Sequence, residues 1–225
     1  MAVVARGGDV DWWESTRCMQ ALFVHGMGRS PLSGWPLLWH LKRAGLATRT
    51  FGYAVSLEDF AAIRRRLVAR ISALAPRGDY VLIGHSLGGV LIRAALHALP
   101  SGVRQPKHVF LLGSPQQASR LAQHFHGNRV YRALTRDCGQ LLGSAQRMSA
   151  VGPVSVPTTS IVGVGGPARR SGPFRGELND GVVALSEVSA SWIADQVQVS
   201  TIHTLLPMSR GVARIILERL AHDVA

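Results

Sequence analysis

Cysteine is scarce in this sequence. Cys18 and Cys138 are the only two, and their spacing suits neither a disulfide framework nor a zinc site, so both are expected as free, buried or half-buried thiols. Lysine is just as rare, with Lys42 and Lys107 standing alone in a chain of formal charge +12. No lysine run and no aromatic-plus-basic stripe is present, so the charge lacks the pattern of a nucleic-acid binder. The arginines are scattered through an Ala-, Leu- and Gly-rich chain, as a GC-rich coding sequence would scatter them. No unbroken apolar run is long enough to span a membrane, since the most apolar stretch, 81–99, is interrupted by His85, Arg93 and His97. Asp9, Asp11 and Glu14 stand where a secretory leader needs its apolar segment, so a cytoplasmic location is expected. H-E-x-x-H, paired-carboxylate spacings and G-x-x-x-x-G-K are all missing, and with them the usual signatures of metal and nucleotide chemistry.

What the chain does hold is 225 residues, 47% of them hydrophobic, enough for one domain with a real core. No repeat or linker divides it, and residues 1–225 read as a single domain. Its centre is Val81-Leu82-Ile83-Gly84-His85-Ser86-Leu87-Gly88-Gly89-Val90, an apolar run entering a G-x-S-x-G turn and leaving into a second apolar run. The pattern predicts strand, sharp turn and helix with Ser86 at the apex. A serine so placed is held in a strained backbone conformation that lifts its hydroxyl out of the sheet, while Gly84 and Gly88 let strand and helix touch. The turn also sets the Leu87 amide at a helix N-terminus, aimed at whatever Ser86 attacks. The plain alternative is a glycine-rich turn with an incidental serine.

Further parts occur in an order that argues against the incidental reading. Ala21-Leu22-Phe23-Val24 runs into His25-Gly26-Met27-Gly28 before the serine, and Gly113-Ser114-Pro115, Asn179-Asp180-Gly181-Val182-Val183 and His203 follow it. On these marks the sequence resembles the α/β-hydrolase superfamily, more narrowly its small bacterial esterases and lipases and GPI-inositol-deacylase-like hydrolases. The marks span residue 20 to the end, in the Ser, Asp, His order that this fold uses. The resemblance implies an α/β-hydrolase fold with a trimmed, mostly parallel sheet of about six strands, helices on both faces and a small cap at 116–150. It also implies a serine hydrolase cleaving carboxylic esters through an acyl-enzyme on Ser86. Ser86, Asp180 and His203 would form the triad, and the backbone amides of Met27 and Leu87 the oxyanion hole. Such a triad requires no metal and no cofactor.

Strands are predicted over 20–24, 47–53, 79–83, 108–112, 158–164 and 197–199. Between them, helices are predicted near 33–44, from Ser56 to Pro76, over 87–99 and over 208–220. Their alternation implies a parallel sheet covered on both faces. Ser56 with Asp59 reads as a capping-box start, with Leu57, Phe60, Ile63, Leu67, Ile71 and Leu74 as the inward stripe and Arg64–Arg66 as a solvated face. Across 116–150 periodicity weakens, and helices at 121–125 and 130–142 are expected to break at Gly127-Asn128, Gly139 and Gly143.

His203 follows the last strand, at the sheet edge where the Ser86 turn emerges, and is the candidate base. Other histidines fit worse. His40, His97 and His222 fall in helices, His108 begins a strand at the opposite edge, and His124 and His126 lie within 116–150. His85 is expected to point away from the nucleophile and bond the scaffold, and His25 to brace its own loop. Asp195 immediately precedes the last strand, so strand residues of about 3.3 Å each separate it from His203. Asp180 sits where the resemblance places the acid, with a turn-forming Asp-Gly as the structural alternative.

The expected substrate is a small-molecule ester or lipid. A thioesterase or acyltransferase on the same triad, and a non-catalytic ligand-binding protein on a hydrolase scaffold, are the rivals. Nucleic acid is not an expected partner. The basic balance predicts weak, salt-sensitive association with anionic membrane surfaces, and no oligomeric state follows from the sequence.

Overall fold

The computed structural model describes residues 19–167 and 171–222; Cys18, the segment before it and Arg169-Arg170 lie outside them. Six parallel strands form one sheet: β1 (Gln20–Val24), β2 (Ala47–Phe51), β3 (Tyr80–His85), β4 (His108–Leu112), β5 (Thr158–Gly163) and β6 (Asp195–Val199), in the order β2-β1-β3-β4-β5-β6. The inner strands are buried along their whole length, which is why they read as continuous apolar runs. Edge strands β2 and β6 are partly exposed.

Strand side chains alternate between two layers. Ala21, Phe23, Val81, Ile83, Phe110 and Leu112 pack with helices α1 (Trp35–Arg43) and, at the end of the chain, Arg210–His222. On the other face Leu22, Val24, Leu82, Val109 and Leu111 meet α2 (Phe60–Leu74) and α3 (Leu87–His97). Strand order reverses once, between β1 and β3, and open sheets bind ligands outside the strand C-termini at such a reversal. Val24 pairs with Gly84 in register, so His25-Gly26-Met27-Gly28 and the Ser86 turn leave adjacent strands at one level.

Several boundaries differ from the sequence reading, each for a local reason. Strand β2 stops at Phe51 because Tyr53 turns inward, stacking on His25 at 4.2 Å and donating its hydroxyl to the His25 carbonyl at 2.7 Å. Asp59, rather than Ser56, caps α2, its Oδ1 accepting from the Ala62 amide at 2.6 Å. Leu57 therefore falls outside the buried stripe, which begins at Phe60. Arg66 is not simply solvated: it pairs with Glu58 and lies over the Phe51 ring. Residues 116–151 carry α4 (Arg120–Phe125), α5 (Arg129–Gly143) and α6 (Ala145–Val151). The break in α5 is at Arg136 (φ 46°, ψ −134°), and Gly139 instead lets the helix close on Thr135. A short helix α7 (Leu185–Val188) follows the Asp180 loop, β6 starts at Asp195, and α8 (Arg210–His222) closes the chain. No helix among the described residues is long and apolar enough to cross a membrane.

Candidate active site

Ser86 stands between β3 and α3 at φ 53° and ψ −123°, a left-handed conformation rare for a residue with a side chain. Its amide donates to the Leu112 carbonyl at 2.9 Å, which ties the turn to the neighbouring strand. The close approach of strand to helix explains the glycines. A methyl at Gly84 would run into the Gly89 backbone, and one at Gly88 into the carbonyls of Val24 and His25. The hydroxyl makes no capping bond to the helix it precedes, and Ser86 remains partly exposed.

Asp180 and His203 meet beside this turn. His203 Nδ1 donates to Asp180 Oδ2 at 2.6 Å, with the histidine side chain 7% exposed and the aspartate fully buried. Asp180 Oδ1 accepts from the Val182 and Val183 amides at 2.9 and 2.8 Å, so both carboxylate oxygens are satisfied. Asn179 fixes the loop from the other side, accepting from the Gly181 amide and donating to the Pro167 and Glu177 carbonyls. The Asn-Asp-Gly segment is thus a turn and a carboxylate holder at once. A second backbone bond, from the His203 amide to the Asp180 carbonyl at 2.9 Å, locks the pair. The ring nitrogen left over on His203 is Nε2.

The other aspartates between Ser86 and His203 are engaged elsewhere. Asp195 accepts from Arg219 at 2.8 and 3.2 Å and from Thr159 at 2.7 Å, at the opposite end of the sheet. Asp137, in α5, binds Arg147 at 2.8 Å and the Phe60 amide at 3.0 Å.

His85 bonds the scaffold as expected, but its partner was not foreseeable. Its Nε2 donates to the His203 backbone carbonyl at 3.0 Å, and the two rings lie 4.8 Å apart. Burial, then the neighbouring His203, holds its pKa well below the usual imidazole value, so it stays neutral beside the His203 ring. His25 braces its loop through its Tyr53 contacts and a 2.8 Å contact to the Gly26 carbonyl. Gly113 closes the back of the site: a Cβ there would stand 3.0 Å from both Asp180 Oδ2 and His203 Nδ1.

Among the described residues neither the Met27 nor the Leu87 amide donates to a backbone carbonyl. Both flank Ser86, one at the exit of β1 and the other at the first turn of α3. Met27 and Ser86 also border an apolar cavity of about 90 Å³, whose far wall is Leu121, Phe125, Tyr131 and Leu142 from α4 and α5. Buried Glu187 joins that wall to the Asp180 loop, accepting from the Arg120 and Ala184 amides at 2.7 Å each. Arg93, also buried, donates to the Gly152 and Pro115 carbonyls and so ties α3 to both ends of the helical segment. Sequence offered one faint signal for these two, a charged residue inside an apolar run. Cys138 is buried, with its thiol pushed up to about 12 by burial and then by Asp137, which leaves it inert. No group of three or more metal-ligating side chains comes together among the described residues.

No family model and no curated protein matches the sequence. Solved structures do match. The mature lipase BlEst2 of Bacillus licheniformis superimposes with a TM-score of 0.71 at 16% identity, over 89% of this chain and 91% of that one. The metagenomic carboxyl esterase MGS0156 gives 0.69 at 17% identity, over 93% and 76%. RedJ, a thioesterase from the prodiginine biosynthetic pathway of Streptomyces coelicolor, gives 0.55 at 13% identity, over 99% and 91%. The fold shared with these proteins is the α/β-hydrolase fold.

Proposed function

We propose that the protein is a serine hydrolase cleaving carboxylic esters through an acyl-enzyme on Ser86. The observation that carries this reading is the 2.6 Å bond between His203 Nδ1 and a buried, fully satisfied Asp180, beside a serine held at φ 53°. His203 Nε2 takes the Ser86 proton as Oγ attacks the ester carbonyl, and Asp180 fixes the tautomer and stabilises the imidazolium. The developing oxyanion is held by the Met27 and Leu87 amides, aided by the helix N-terminus. His203 then hands its proton to the departing alcohol, and water enters by the same base catalysis to release the acid. His85 acts as a positioning residue by fixing the His203 carbonyl.

The α4–α6 segment is the cap of this reading, and its apolar wall is the acyl subsite. The cavity beside Ser86, about 90 Å³ and lined mostly by apolar side chains, is small, which favours a short acyl group over a long one. Turnover of p-nitrophenyl esters is expected to peak at acetyl to butyryl and to fall for longer chains. The decisive test is labelling by a fluorophosphonate: wild-type protein should react and Ser86→Ala should not. An unlabelled, folded wild type would reject the hydrolase reading in favour of a binding protein. A thioesterase would use the same groups, and RedJ bears that name on the same fold; faster turnover of an acyl-pantetheine thioester than of the matching oxygen ester would favour it.

A further inference from the structure

Large apolar side chains that face water gather on the loops around the Ser86 end of the sheet. Leu32 is 77% exposed, Trp35 62% and Met208 51%; together with Arg29 they line one open depression of about 650 Å³. Leu205 and Ile202 are exposed on the same segment as Met208. That segment contains His203, and residues 28–35 continue the turn that carries Met27, so this patch and the site share a rim. Contiguous exposed apolar surface rimmed by polar groups marks a contact face.

Charge indicates the partner. The stretches that line the depression, 28–36 and 204–208, contain Arg29 and no aspartate or glutamate, and Arg210 follows two residues after Met208. Both cations are exposed. A second copy of this chain would set like charges against each other. A lipid surface with anionic headgroups meets both features: phosphates face the cations while Trp35, Leu32 and Met208 enter the boundary with the acyl region.

We propose that this face docks on anionic lipid surfaces and turns the mouth of the Ser86 site toward them. Docking rests on the patch and its charge alone. Only its use, delivery of esters from the lipid layer to Ser86, rests on the hydrolase reading above.

Sedimentation with vesicles separates the two claims. Wild-type protein and Ser86→Ala should both pellet with phosphatidylcholine vesicles containing phosphatidylglycerol and remain in solution with phosphatidylcholine alone. Binding should fall about tenfold between low and physiological salt, because exposed charges are then screened over about 8 Å. The triple variant Leu32→Ser, Trp35→Ser, Met208→Ser should lose about tenfold in binding while turning over soluble p-nitrophenyl acetate within about twofold of wild type. Should the triple variant fail to fold by circular dichroism, Trp35→Ser alone and Arg210→Glu alone carry the test, each expected to weaken binding with soluble turnover kept. The proposal is overturned if wild type stays in the supernatant with the anionic vesicles, or if the folded variants bind as wild type does. It is also overturned if light scattering shows a wild-type dimer that the patch variants convert to monomer. Vesicle binding by a wild type inactive on all esters would leave docking standing and remove the hydrolase reading.

Discussion

At the N-terminal end of the sheet His108 Nε2, Thr159 Oγ1 and Asp195 Oδ2 are linked by contacts of 2.8 and 2.7 Å. At the C-terminal end Ser86, His203 and Asp180 gather, with the last two 2.6 Å apart. Residue types and bond lengths are nearly the same, and the order of the groups is not. Thr159 has one hydroxyl proton and gives it to Asp195, so His108 must donate to Thr159 and has no proton to take from it. Asp195 spends its charge on Arg219, and Thr159 is fully buried within a strand. At the other end the histidine binds the acid, the serine is partly exposed on a strained turn, and a helix begins one residue later. A hydroxyl becomes a nucleophile where the base is free to receive its proton and helix N-terminal amides face the reacting atoms. The C-terminal ends of parallel strands, where helices begin, supply those amides.

Disabling the two hydroxyls tests that contrast most strongly. Ser86→Ala should lower kcat/KM by roughly 10⁴-fold or more, the remainder being oxyanion-hole and binding catalysis. Thr159→Val should keep turnover within about twofold and cost about 1 kcal/mol of stability in urea titration. A strong catalytic loss in Thr159→Val alone would invert the assignment of the two ends. The aspartates come next. Asp180→Asn should cost roughly 10³-fold in kcat, through the wrong His203 tautomer and the lost carboxylate charge, whereas Asp195→Asn should turn over nearly normally. Steady-state kinetics with the reverse pattern would move the acid to Asp195.

Much of this contrast was legible in the residues. Continuous apolar runs gave away the inner strands, since side chains buried on both faces need no polar alternation. Gly84, Gly88 and the position of Ser86 implied the turn, because few other sequences allow a strand and a helix to touch there. Asp195 could be set aside by strand length alone. Hidden features were those made by contacts between distant segments. The bond from His85 to the His203 carbonyl spans 118 positions, and Tyr53 leaves its strand only because His25 offers a stacking partner. Within α5 the helix broke at Arg136 rather than at a glycine, since packing against Thr135 and the 54–60 loop outweighs local propensity.

The bond from His85 to His203 has no counterpart at the His108 end, which gives a smaller test of why the ends differ. His85→Ala should reduce kcat by about 10–100-fold with little change in KM, because the base loses one of the bonds fixing its backbone and small misplacements are costly. His85→Gln, which retains a donor, should recover part of the loss. A folded His85→Ala with unchanged kcat and an unchanged pH–rate profile would reduce His85 to packing.

The two ends should also differ in how acid weakens them, and this is the smallest effect. Burial and then His203 hold the His85 pKa well below the ordinary value of 6.5. The hydrogen bond from Arg219 holds the Asp195 carboxyl below its ordinary 3.8. In each case the unfolded chain binds protons that the folded chain refuses, so stability is present above the unfolded pKa and falls with pH below it. The sign is the same and the windows differ: loss from His85 begins near 6.5, with buried His25 acting in the same direction, and loss from Asp195 begins only near 3.8. One such group changes stability by at most about 1.4 kcal/mol per pH unit, and the partly exposed Asp195–Arg219 pair is worth about 0–1 kcal/mol in total. Urea midpoints measured from about pH 7.5 down to about pH 5 should therefore decline in wild type and in Arg219→Ala alike, and decline less in His85→Gln. A His85→Gln curve parallel to wild type, or a flattened one in Arg219→Ala, would place the acid-sensitive group at the wrong end of the sheet.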